Sequence, residues 1–165
     1  MMRPKRIKPG PGQESVWDYP RPAVCEETRK SLEIRFAGRV IAQTGRAFRV
    51  LETSHPPTYY LPPDAFVEGV LVPARGSSVC EWKGVASYFD VVVGAERASR
   101  AGWCYPTPTP NFEPMAGYVS IYAHLMEGCF VDGEKVQAQE GDFYGGWITS
   151  QVVGPFKGAP GTWGW

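Results

Sequence analysis

The stretch Cys129-Phe130-Val131-Asp132-Gly133-Glu134-Lys135-Val136 decides the fold class. Asp-Gly between two apolar-containing runs supplies the positive φ angles of a tight primed turn, whose twist suits two paired strands. Two other segments follow the same plan, Ile34-Arg35-Phe36-Ala37-Gly38-Arg39-Val40 and Val91-Val92-Val93-Gly94-Ala95-Glu96-Arg97. The likeness is too short to indicate duplication and reads as one kind of turn used repeatedly. Outward from these turns, period-two alternation dominates. Leu32, Ile34 and Phe36 alternate with Ser31, Glu33 and Arg35, as in a half-buried strand. Val40 to Ala42, the residues around Phe48 and Val50, Tyr88 to Val93 and Tyr118 to Tyr122 continue the series. Helical patterns are scarce, with single turns expected at Pro63-Asp64-Ala65-Phe66 and at Asn111 to Met115. The expectation is a mainly β, single domain of short antiparallel strands, forming a curled sheet or sandwich.

Size and charge bound the function. A chain of 165 residues, 43% apolar and 21% charged, is one ordinary globular domain that buries a core without staples. Lys plus Arg and Asp plus Glu balance at 17 each, so there is no footprint for general nucleic-acid binding. A local basic groove remains compatible with that balance. No apolar run reaches the length of a membrane helix. Residues 1–13, with Arg3, Lys5, Arg6 and Lys8 among prolines and glycines, read as a flexible basic tail and lack the apolar stretch of a signal peptide. The domain spans 14–158, and 159–165 form a C-terminal tail whose Trp163 and Trp165 either fold back or meet a partner surface. Cys25, Cys80, Cys104 and Cys129 are widely spaced with no C-x-x-C pair, which suits reduced thiols in a cytoplasmic protein and predicts no metal. A monomer or homodimer without cofactor or membrane partner is expected.

The aromatic rings sit in short patches with prolines, glycines and a few polar residues. These are Ser15 to Pro22, Glu52 to Tyr60, Cys80 to Gly84, Trp103 to Pro106 and Phe143 to Trp147. Proline and glycine place such patches at strand ends and turns, where binding groups concentrate. Rings carry large contact area, and Tyr and Trp add a polar handle. A pocket for a small molecule, lined by His55, Tyr60, Trp82, Lys83, Trp103, Tyr105, Tyr144 and Trp147, is the leading expectation.

Each motif also has a plainer reading. His55 follows Glu52, Thr53 and Ser54 and precedes Pro56-Pro57, which stiffen the backbone. It is a turn histidine, a ligand contact or a general base oriented by Glu52. Cys80 is a buried inert thiol or, with His55 beside it, a nucleophile. Lys83 beside Trp82 is a solvated cation or the contact for an anionic or aromatic ligand. The run Trp103 to Pro110, which leaves a strand into alternating prolines, is a stiff crossover or a pocket wall. The alternative function is therefore an enzyme using His55, Cys80 and Lys83 as acid/base, nucleophile and anion stabiliser. No phosphate loop, dinucleotide fingerprint, H-E-x-x-H or G-x-S-x-G motif occurs. Asp90 stands without a close acidic partner after Gly76-Ser77-Ser78, so a metal-dependent nucleotidyl-transfer site is not visible.

The patches together resemble a known family. Glu52 to Pro57 with Tyr59-Tyr60, Cys80 to Gly84 with Tyr88, Trp103 with Tyr105-Pro106, Asp132-Gly133-Glu134, Phe143 to Thr149 and Gly154 to Gly158 look like the bacterial "domain of unknown function 427" family. The resemblance runs from about Glu14 to Gly158. It implies a compact β domain, single here and duplicated in some members, with no established reaction. The family is sometimes labelled nucleotidyltransferase-like, but the residues that chemistry needs are not visible. It also implies a similarity to the β-tent folds, which include zinc-binding and aromatic-cage modules. This chain lacks the paired cysteines of the zinc-binding members.

Overall fold

Strands follow one another with only short 3-10 segments between them, the longest of six residues. A computed structural model describes residues 4–141 and 143–165. In chain order the strands are β1 (Glu14–Ser15), β2 (Val24–Thr28), β3 (Leu32–Phe36), β4 (Arg39–Thr44), β5 (Ala47–Leu51), β6 (Thr58–Tyr60), β7 (Leu71–Cys80), β8 (Gly84–Val93), β9 (Glu96–Cys104), β10 (Val119–Ile121), β11 (Gly128–Val131), β12 (Glu134–Lys135), β13 (Gln137–Ala138), β14 (Trp147–Ile148) and β15 (Val152–Val153). Short 3-10 turns at Pro63–Ala65 and Pro110–Met115 occupy the two places where single helical turns are expected.

The hairpin turns are of the primed kind. Asp132 (φ 48°) with Gly133 (φ 82°) and Ala37 (φ 52°) with Gly38 (φ 73°) are left-handed at both positions, while the third turn is left-handed at Gly94 (φ 58°). They generate antiparallel sheets in the orders β12-β11-β3-β4 and β10-β9-β8-β7, beside a three-stranded sheet β2-β5-β6. The last two are one continuous surface. Leu61, just past β6, and Val119 of β10 exchange backbone hydrogen bonds of 2.8 Å in each direction. The chain is thus mainly β, antiparallel and a single domain, with a sheet that curls from β2 round to β7.

Burial follows the pleat. On β3, Leu32 and Ile34 are fully buried, while Glu33 and Arg35 face out and pair at 2.6 Å. The main core joins Leu32, Ile34, Ile41, Leu61, Val91, Ile121 and Trp147. A second cluster gathers Tyr60, Trp103, Tyr105, Phe112 and Met115 under the curl. A third, of Val16, Tyr19, Leu51 and Val152, closes the end where β1 runs parallel to β15.

Both end segments touch the body. The amide of Ile7 donates to Gly154 at 3.0 Å, Gln13 Nε2 donates to the Ser150 carbonyl at 2.8 Å, and the Arg6 guanidinium lies 5.3 Å from the Trp17 ring. The first three residues of the expected tail, including Arg3, lie outside the described residues. At the other end Trp165 folds back against Trp17, with ring centroids 5.7 Å apart, whereas Trp163 is exposed. Among the described residues no helix is long and apolar enough to cross a membrane.

Candidate functional site

Six parts of the fold bring rings to one hollow. Tyr88 on β8 and Trp103 on β9 are directly paired across the sheet, which puts their side chains on the same face. Tyr105 extends from the end of β9, Tyr60 comes from β6, and Tyr122 follows β10. The turn joining β7 to β8 adds Trp82, and the loop before β14 adds Phe143 and Tyr144. They surround a cavity of about 360 Å³, which Glu52, His55, Cys80, Lys83 and Gln139 also line. That size lies at the small end of small-molecule sites, which run from roughly 300 to 1,000 Å³.

The rings are locked against one another. Trp103 Nε1–H donates to the Tyr60 hydroxyl at 3.1 Å, and the Trp103 and Tyr122 centroids are 4.5 Å apart. Burial pushes the phenols of Tyr60 and Tyr105 well above their ordinary pKa, so both stay neutral. Gly145 is required by this packing. A Cβ there would sit 2.2 Å from Trp103 Cη2. The proline run also has a task. Thr109 Oγ1 donates to the Trp82 carbonyl at 2.6 Å and its amide donates to Lys83 at 3.0 Å, so the stiff segment braces the turn that carries both residues.

His55 reaches the hollow from a tight turn closed by its amide on the Glu52 carbonyl, with Ser54 left-handed at φ 72°. Its tautomer follows from its neighbour. Gln139 Oε1 accepts from the Gly146 amide at 3.0 Å, and Gln139 Nε2 donates to the Lys157 carbonyl at 2.8 Å. These two backbone partners fix the amide's orientation. The nitrogen that lies 3.1 Å from His55 Nδ1 is therefore a donor, and Nδ1 accepts. The proton of the neutral ring is then on Nε2. Burial, with the fields of Lys157, Arg21 and Lys83, lowers the His55 pKa to about 3. Glu52 Oε2, 3.6 Å from Nε2, is beyond hydrogen-bond distance and does not offset those effects. With its lone pair engaged by Gln139, His55 is a fixed donor rather than a base.

The structure brings His55, Tyr60, Trp82, Lys83, Trp103, Tyr105 and Tyr144 to the cavity wall, together with Glu52 and Cys80. Trp147 is elsewhere. It is 1% exposed in the main core, packed at a tilt against Tyr59 with ring centroids 5.4 Å apart, and its indole N–H donates to the Ile121 carbonyl at 3.1 Å. Among the described residues no hydrogen bond joins His55 to Cys80 or Cys80 to Lys83. Sequence reasoning missed Tyr88, Tyr122, Phe143 and Gln139 as wall residues. Phe143 carried a signal, since it stands in an aromatic patch, and Tyr88 a weaker one, as a strand residue close to the Cys80–Gly84 patch; Gln139 carried none. All four cysteines are free thiols, and among the described residues no group of three His, Cys, Asp or Glu side chains converges as a metal site. Asp90 is engaged by the Arg97 guanidinium and the Arg100 amide and does not line the cavity.

The sequence matches the model of a family described as a domain of unknown function (DUF427) over residues 24–132. That span carries β2 to β11 and most of the cavity wall, but not Gln139 or the Phe143–Gly145 loop. No curated protein matches the chain.

Proposed function

The chain belongs to the DUF427 family, and we propose that it works as a binding module that holds a small molecule among the rings of this cavity. One observation carries the reading. Rings from Tyr60, Trp82, Tyr88, Trp103, Tyr105, Tyr122 and Tyr144, far apart in the chain, share one hollow. Flat apolar walls suit a planar ligand, and the Nε2–H of His55 and the Lys83 ammonium supply polar contacts. The test is a thermal-shift and tryptophan-fluorescence screen with aromatic and heterocyclic compounds of one or two rings. Binders are expected to raise the melting temperature and quench fluorescence. Trp82→Ala, on a half-buried turn rather than in the core, is expected to weaken them about tenfold, the loss of one stacking ring. A broad collection that moves neither signal would end the proposal.

A further inference from the structure

Which planar molecules fit depends on charge, and the rings of the cavity already carry cations of the chain itself. Lys83 Nζ lies 5.7 Å from the centroid of Tyr105, Lys157 Nζ 5.6 Å from Tyr144, and the Arg100 guanidinium 4.2 Å from Tyr88. All three rings line the cavity. Among the described residues none of these cations has a carboxylate within salt-bridge distance: the ion pairs there involve Arg35, Arg49 and Arg97, and Glu52 lies beside the neutral His55. Of the three cations over these rings, Lys83 alone lines the cavity itself; Lys157 and Arg100 cover rings of its wall, and all three add positive charge that disfavours a cationic guest. Against them stand the carboxylates of Glu52 and Glu81. Glu81 is exposed, and Glu52 lies by the Nε2–H of His55.

Resting on the binding reading above, we propose that the cavity selects a planar aromatic acid, its ring stacked between the aromatic walls and its carboxylate turned toward the Lys83 ammonium. Lys83 is the best placed of the three, because it lines the cavity itself and is half-buried on the turn that Thr109 braces. A charge-assisted contact there is shorter and stronger than a neutral one. An ammonium guest meets Lys83 as a like charge there, and the carboxylates it could turn to are the exposed Glu81 and Glu52, which lies by the His55 N–H.

The experiment titrates the full chain with benzoate and indole-3-carboxylate, with the corresponding neutral amides, and with phenyltrimethylammonium, by calorimetry and fluorescence at two salt concentrations. The acids are expected to bind on the order of tenfold more tightly than their amides, which is the scale of one charged hydrogen bond. That preference should shrink at high salt. Lys83→Met keeps the stem over Tyr105 and removes the charge, and is expected to bring acid and amide to similar affinity. A thermal melt of the variant verifies that it folds; if it does not, the salt dependence of the unaltered chain decides alone. Equal binding of acids and amides, or preference for the ammonium, overturns this inference and leaves the binding reading standing. Binding of none of the five probes overturns it too, and only the wider screen then speaks for the binding reading.

Discussion

The proton on His55 is decided by an amide 84 residues away in the chain. Because Gln139 is held by two backbone groups, Nδ1 of His55 has no choice of role. Nitrogen NMR of the imidazole is expected to show a bare Nδ1, a protonated Nε2 and no titration from pH 8 down to about pH 4, given a folded pKa of about 3. A free histidine titrating near 6.5 would refute the geometry. The same depression makes the fold acid-sensitive. Below its ordinary value of 6.5 the unfolded chain takes up a proton on His55 that the folded chain refuses. The stability in question is present above that value and is lost as pH falls toward 3. His55→Gln should therefore show a shallower fall in melting temperature across that window than the unaltered chain. Gln139→Leu strips partners from the Gly146 amide and the Lys157 carbonyl at once, and is expected to cost on the order of 3 kcal/mol in denaturant unfolding. A loss under about 1 kcal/mol would mean that water replaces the amide. His55 was legible as a candidate for the cavity wall because an imidazole before Pro-Pro stands out. Gln139 was not, since Gln137-Ala138-Gln139-Glu140 alternates like a solvent-facing strand. Only the approach of two distant segments buries it to 3% exposure. Trp147 fails as a site residue for the converse reason. Its patch looks like the others, but β14 turns its indole inward toward Ile121.

At the scale of elements, turn chemistry was the most readable part of the chain. Asp-Gly at 132–133 adopts positive φ at both residues, and the Asp132 carboxylate also accepts from the Ser31 amide at 2.8 Å, tying the turn to the start of β3. Gly133→Ala has open space for its methyl group, so its cost is conformational alone, about 1 kcal/mol by chemical denaturation. No change would show that the turn relaxes to another type. β7 was the element hidden from pattern reading. Its Pro73 and Gly76 suggest a loop, yet it is a ten-residue strand. An edge position tolerates proline, and the register shift between Pro73 and Ser77 absorbs the mismatch. β1 was equally obscure, because it is held by charge rather than by pattern. Arg49, 8% exposed, grips both oxygens of Glu14 at 2.7 and 2.9 Å. That grip, with the Tyr19 hydroxyl donating to the same carboxylate, holds the Glu14 carboxyl below its usual range. A depressed carboxyl contributes stability above its unfolded value and loses it as pH falls through the folded one. Glu14→Gln should lower the melting temperature at neutral pH, by about 1 kcal/mol of stability at a half-exposed pair. The two chains should converge in acid. A constant gap down to pH 3 would assign the loss to packing instead of charge.

For the whole molecule, the question is whether the two halves of the curled sheet unfold together. Their junction is narrow, one reciprocal pair of bonds between Leu61 and Val119, but it lies in the driest part of the protein, with exposures of 0% and 1%. The side chains around it, Ile41, Val91 and Ile121, come from both large sheets, so opening the junction exposes the main core. The cavity depends on it as well, since Tyr60 lies on one side of the junction and Trp103 on the other, and they share a hydrogen bond. This long-range closure explains why the mainly β class could be read locally while the site's membership needed coordinates. Alternation and turns are neighbour effects, but which rings meet is decided by the curl. Amide hydrogen exchange separates the possibilities. The Leu61 and Val119 amides are expected to exchange only through global unfolding, at the rate set by the full stability of the fold. The tip of the β7–β8 hairpin, with Val79 79% and Val85 52% exposed, should open locally and exchange far faster. If the junction amides exchanged with the hairpin tip, the two sheets would be independent units, and a ligand bridging Tyr60 and Trp103 would have to assemble its own site.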